Sequence, residues 1–189
     1  MCSSHRPGDP ADLISRRRFV QWASLAGGAL VTGIGADPAQ ANGTARALML
    51  SCMDYRLVDD LVNFMAAHGL QDNYDHVVLA GASLGVVHAA FADWHATFWQ
   101  HLQVARDLHG IEEVIVIDHR DCGAYRIALT EAAVDTTEKE TAAHRQHMQE
   151  FARQVGERHP DLRVYGVLMA LDGTGENIMS AEDAEPTAG

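Results

Sequence analysis

The chain has 189 residues, with 26 Asp and Glu against 14 Lys and Arg, a net charge of −12, 47% hydrophobic residues and three cysteines. Such an acidic balance disfavours a nucleic-acid binder, because phosphate backbones are held by a surplus of Lys and Arg, and the hydrophobic content argues against a disordered chain. Three cysteines are too few for a disulfide scaffold, and no run approaches the ~20 apolar residues of a membrane span.

The first 14 residues are polar and irregular. Ser15-Arg16-Arg17-Arg18-Phe19-Val20 then leads into a mildly apolar, Gly-rich stretch, and Ala39-Gln40-Ala41 supplies a small-x-small cleavage pattern. This layout predicts a twin-arginine export signal over residues 1–41. Gln21, Ser24, Thr32 and several glycines make the stretch too weakly hydrophobic to anchor stably in a membrane. The expected destination is the periplasm or another exported location. Removing residues 1–41 takes away Cys2, four arginines and three aspartates, leaving 10 basic and 23 acidic side chains and two cysteines, Cys52 and Cys122.

Residues 45–51 form a short apolar run of strand length, and residues 57–68 carry apolar positions at near-helical spacing, stopped by Gly69. A second strand is predicted over 75–80, then a long, largely buried helix over 86–109 ending at Gly110. Glu-Val-Ile-Val-Ile-Asp at 113–118 is β-branched and apolar, the strongest strand signal in the chain. A short helix is expected over 124–132. Thr137-Glu138-Lys139-Glu140 fits a capping box opening a helix that runs towards His159 before Pro160. A fourth strand is expected over 162–171, with the domain spanning 42–178 and a loose tail over 179–189. Strands alternating with helices imply an α/β fold, a mostly parallel sheet of order 2-1-3-4 with helices on both faces.

Both remaining cysteines follow predicted strands: Cys52 in Cys52-Met53-Asp54-Tyr55-Arg56, and Cys122 in His119-Arg120-Asp121-Cys122-Gly123. In open parallel sheets, ligands bind beyond the carboxyl ends of the strands where strand order reverses. For order 2-1-3-4 that point lies between the first and third strands, so the two motifs would share one crevice. Two thiolates and an imidazole suit Zn²⁺, and a Cys₂His set leaves a fourth tetrahedral position open, as catalytic zinc sites do. Asp54 and Arg56 are close enough to reach the same crevice. The carboxylate there either takes the fourth position or pairs with the guanidinium and leaves that position to water. Two blander readings compete: a structural disulfide between Cys52 and Cys122, and a surface ion pair of Asp54 with Arg56. His88, His95, His101 and His109 lack the i, i+4 spacing of a helical metal site. Trp94, Phe98 and Trp99 read as core or subunit-interface residues.

Taken together, Cys52-x-Asp54-x-Arg56 and His119-x-x-Cys122-Gly123 resemble the motifs of the β-class carbonic anhydrases. Val164-Tyr165-Gly166-Val167 through Asp172-Gly173-Thr174-Gly175 is similar to that family's last core strand and turn. The resemblance implies a zinc ion held by Cys52, His119 and Cys122, a catalytic dyad of Asp54 and Arg56, and Gly81 and Gly123 on the substrate side of the pocket. The implied reaction is reversible hydration of CO₂ to bicarbonate and a proton, carried out by a zinc lyase that forms a homodimer.

The chain also departs from the family pattern. Many relatives carry Arg-Asn-Ala-Gly after the second strand, where this chain has Val78-Leu79-Ala80-Gly81. Only a short segment separates the expected cleavage point from Cys52, where relatives commonly place a helical arm embracing a second subunit. The apolar Val78-Leu79 wall opens a second reading, hydrolysis of carbonyl sulfide or carbon disulfide at the same zinc. Without the polar pair and the arm, a third is an exported zinc-binding or disulfide-stabilised protein with no catalysis.

Overall fold

A computed structural model of the chain describes residues 43–179. Residues 1–42, which include the expected export signal, and residues 180–189 lie outside the described residues. The β-branched run at Glu113–His119 forms the central strand β3, buried along its whole length. Parallel neighbours flank it, β1 (Ala47–Ser51) on one side and β4 (Arg163–Met169) on the other, with β2 (Tyr74–Val78) outside β1. A fifth strand, β5 (Gly175–Met179), pairs antiparallel with β4, so the order is β2-β1-β3-β4-β5. The expected order of four is present; β5 adds an edge where only a turn was read, and takes in Met179, one residue past the expected domain boundary.

Side-chain alternation along the strands divides the core into two layers. Leu48, Leu50, Val114, Val116, Val164 and Leu168 face two long helices, α3 (Ala92–His109) and α5 (Thr137–Arg158), meeting Phe98, Leu102, Phe151 and Val155. Ala47, Met49, Ile115, Ile117, Val167 and Met169 face the opposite layer, where α1 (Val58–Ala67) contributes Leu61 and Met65. Each fully buried Leu, Val or Phe side chain contributes roughly 1.5–3 kcal/mol, so these layers are the main source of fold stability. At Gly166 a side-chain carbon would stand 2.7 Å from Met148 Sδ and 3.0 Å from Met179 Cβ, so glycine lets α5 and β5 close onto β4. Among the described residues, no helix is long and apolar enough to cross a membrane.

Three local boundaries differ from expectation. The single helix expected over 86–109 is broken into α2 (Ser83–Val87), a 3₁₀ turn at Ala89–Phe91, and α3. The break falls at His88, whose backbone is extended (φ −85°, ψ 135°) and whose Nδ1 accepts the Ala90 N–H at 3.2 Å, a cap that competes with helix continuation. The short helix expected over 124–132 is α4 (Gly123–Ala128), followed by a separate 3₁₀ turn at Glu131–Ala133. Helix α5 is capped by Thr136, not Thr137: the Thr136 side chain accepts the Lys139 N–H. Glu140 is thereby released for a different task at the site.

Candidate metal centre

Cys52 directly follows β1 and His119 ends β3, the two adjacent strands at which sheet order reverses. Cys122 sits at the N-cap of α4 after a tight turn in which Asp121 takes a left-handed backbone (φ 58°). One ligand atom from each of Cys52, His119 and Cys122 lies within 4.8 Å of the others. The two sulfurs are 4.0 Å apart and both thiols are free. A disulfide holds its sulfurs about 2.05 Å apart, whereas two thiolates about 2.3 Å from one tetrahedral ion stand roughly 3.8 Å apart. The observed spacing matches the second case.

The histidine is prepared for a ligand. His119 Nδ1 donates to the Arg120 carbonyl at 2.8 Å, which leaves the lone pair on Nε2. That Nε2 is buried and meets no hydrogen-bond partner. An orphaned imidazole nitrogen facing two thiols fits a soft or borderline divalent ion such as zinc. Cys52 Sγ also receives the Gly81 N–H at 3.3 Å. Donation from the Cys122 thiol, together with the Gly81 N–H, outweighs burial and pulls the Cys52 thiol well below its ordinary value; Cys122, as the donor, is pushed up. The site thus already favours a thiolate at Cys52.

Asp54 caps the 3₁₀ turn at Tyr55–Leu57, accepting the Arg56 N–H at 3.0 Å. The Arg56 guanidinium forks onto the same carboxylate, Nε to Oδ1 at 2.9 Å and Nη2 to Oδ2 at 2.7 Å. Asp54 is thus paired with Arg56, with Oδ2 3.7 Å from His119 Nε2. The Arg56 side chain holds the Asp54 carboxyl down to about 2, so it is ionised across the neutral range.

Gly81 adopts φ 79°, and a side-chain carbon there would press on Ala124 Cβ at 3.0 Å and Leu84. Glycine is needed for the turn that aims the N–H at Cys52. At Gly123 a side-chain carbon would meet nothing within 4 Å, so crowding does not require glycine there. Val78 is half-exposed at the end of β2 and Leu79 packs against the α3/α5 core layer. Leu57, Leu61 and Ile117 are buried beside Cys52 and His119.

Several site residues were not singled out from sequence. Asp121 shares Arg56, accepting from Nη1 at 3.0 Å through its side chain and from Nη2 at 3.2 Å through its carbonyl, and it also pairs with Arg126. Glu140 accepts the Asp121 N–H at 2.6 Å and pairs with Arg120, pinning the turn from α5. Asp118, Ser83, Tyr125 and His144 form a buried polar cluster behind it. The available signal was Asp118 itself, an acid ending an otherwise apolar strand, since a buried charge requires partners. The four helix histidines do not converge: His95 bonds to the His88 carbonyl, His101 to the Thr97 carbonyl and His109 to Asp75.

Comparison with known proteins agrees with this geometry. Residues 43–179 match the family described as "Putative carbonic anhydrase", and the chain belongs to that family. It is 39% identical over 141 residues to an uncharacterized protein of Rickettsia bellii, covering 75% of this chain and 86% of the relative. A Rickettsia conorii uncharacterized protein is 40% identical over 134 residues, covering 71% of this chain and 72% of the other. Among solved structures, β-carbonic anhydrase isoform I of Trichomonas vaginalis aligns with a TM-score of 0.50 at 17% identity, over 88% of this chain and 99% of that one. At that identity the likeness speaks for the fold.

Proposed function

We propose that the protein is a zinc-dependent carbonic anhydrase that interconverts CO₂ with bicarbonate and a proton, working after export through the twin-arginine route. The observation that carries this reading is the buried, partnerless Nε2 of His119 facing two free thiols 4.0 Å apart. Cys52, His119 and Cys122 would hold the ion, and zinc bound there supplies a Lewis acid that makes water nucleophilic at neutral pH. The remaining work falls to the chain. Arg56 keeps Asp54 ionised and fixes its orientation through two parallel hydrogen bonds. Asp54 Oδ2, 3.7 Å from His119 Nε2, would accept a hydrogen bond from the attacking solvent molecule and aim its lone pair at the substrate carbon. Leu57, Leu61 and Ile117, buried beside Cys52 and His119, back the site with apolar side chains.

Stopped-flow CO₂ hydration with the zinc-loaded mature protein tests this directly: turnover is expected, with near-complete loss in Cys122→Ser. No detectable rate, unchanged by that substitution, would refute it. The apolar Val78-Leu79 pair, in place of the polar pair common in relatives, motivates one alternative, hydrolysis of carbonyl sulfide or carbon disulfide, which sulfide release would reveal. Metal binding without turnover of any of these compounds would favour a non-catalytic zinc protein. Tyr55, Val58 and Val62 form an exposed apolar strip on α1 and the turn before it, which supports a homodimer as the working unit; light scattering at the expected dimer mass checks it.

A further inference from the structure

Asp118 is 1% exposed, and its carboxylate is where three other elements meet. Ser83, opening α2, gives its backbone N–H to Oδ1 at 3.0 Å and its hydroxyl to Oδ2 at 2.6 Å. Tyr125 on α4 donates to Oδ2 at 2.8 Å, and His144 Nδ1 on α5 donates at 2.9 Å. The Tyr125 and His144 rings lie 3.8 Å apart between centroids, which limits how either can turn. Burial alone would push the Asp118 carboxyl up, but the donors from His144 and Ser83 outweigh it and hold it below its ordinary value.

Each partner is a short step along the chain from the metal centre. His119 is the next residue on β3, and strand alternation sends it to the α1 face while Asp118 points to the α3/α5 face. Ser83 lies just after Gly81, whose N–H reaches Cys52 Sγ. Tyr125 belongs to the single turn of helix that Cys122 begins. Four donors on a buried anion stabilise a fold little more than well-packed apolar side chains of similar volume would; what they add is direction.

We propose that Asp118 is a positioning residue of the metal centre: its four hydrogen bonds fix the segments carrying Gly81, His119 and Cys122 relative to one another, and so set metal affinity without touching the ion. This rests on the metal reading of the Cys52, His119 and Cys122 cluster. It does not depend on the substrate.

The test uses metal-stripped protein, titrated with Co²⁺ while the thiolate charge-transfer band is followed, and with Zn²⁺ against a competing chelator. Asp118→Asn keeps the size of the side chain and one acceptor. Its affinity for both ions is expected to fall about 10- to 100-fold, the usual consequence of loosening the support of a ligand set, with a changed Co²⁺ band. Leu102→Ala, a cavity in the same core layer, serves as a stability control and is expected to bind both ions as wild type does. If Asp118→Asn does not fold, Ser83→Ala removes one donor and is expected to show a smaller loss in the same direction. Wild-type affinity in the folded Asp118→Asn protein, or an equal loss in Leu102→Ala, overturns the proposal while leaving the metal site standing. Failure of the wild type to bind either ion overturns both.

Discussion

Arg56 is bound on two sides, by the Asp54 carboxylate and by the side chain and carbonyl of Asp121. This double hold explains why a partly exposed arginine can keep one orientation despite the small net worth of ordinary surface ion pairs. It also predicts a separable defect. Arg56→Gln removes the fork from Asp54 but leaves Cys52, His119 and Cys122 in place. The variant should keep full zinc content while kcat/KM for CO₂ hydration falls on the order of 10²-fold, as loss of an oriented proton acceptor commonly produces. Metal analysis alongside stopped-flow rates checks this; equal rates in variant and wild type would remove Arg56 from the chemistry.

At the scale of elements, the turn from β2 into α2 does more than connect them. Gly81 takes a left-handed backbone against Ala124 and Leu84 and directs its N–H at Cys52 Sγ. Gly81→Ala forces both strain and contact, so a stability loss of roughly 1–3 kcal/mol is expected, accompanied by weaker zinc retention; urea unfolding and chelator competition measure the two. Loss of stability with unchanged zinc retention would confine Gly81 to packing. The elements that were legible in the sequence are those whose own pattern decides them, such as the β-branched run of β3 and the strand-end motifs around Cys52 and His119. β5 was not, because Gly-Glu-Asn-Ile-Met has no strand pattern of its own and is held by pairing with β4 beyond the Asp172-Gly173 turn. Nor was the break at His88, which depends on a histidine acting as a cap. The polar cluster around Asp118 draws on α2, α4 and α5, and only the packed sheet brings these together.

For the whole molecule, acid should be more damaging than the many carboxylates alone suggest. Burial holds His76 and His147 below their ordinary imidazole values. A histidine whose folded value is depressed binds fewer protons folded than unfolded, so its contribution is present above the unfolded value of about 6.5 and is lost as the pH falls below it. Melting temperature should therefore drop between about pH 7.5 and 5.5, and His147→Gln should drop less than wild type over the same range. Identical pH dependence in the two would exclude His147 as a source of acid sensitivity.

In the proposed metal centre, two sulfurs and one imidazole nitrogen hold a single divalent ion with room for one more ligand. Zinc K-edge X-ray absorption on the protein as purified tests it most directly. The expected result is one zinc per chain with two sulfur scatterers at about 2.3 Å and two light atoms at about 2.0–2.2 Å, one of them from imidazole. Metal-free protein with Cys52 and Cys122 joined as a disulfide, or zinc in a shell lacking sulfur, would contradict it.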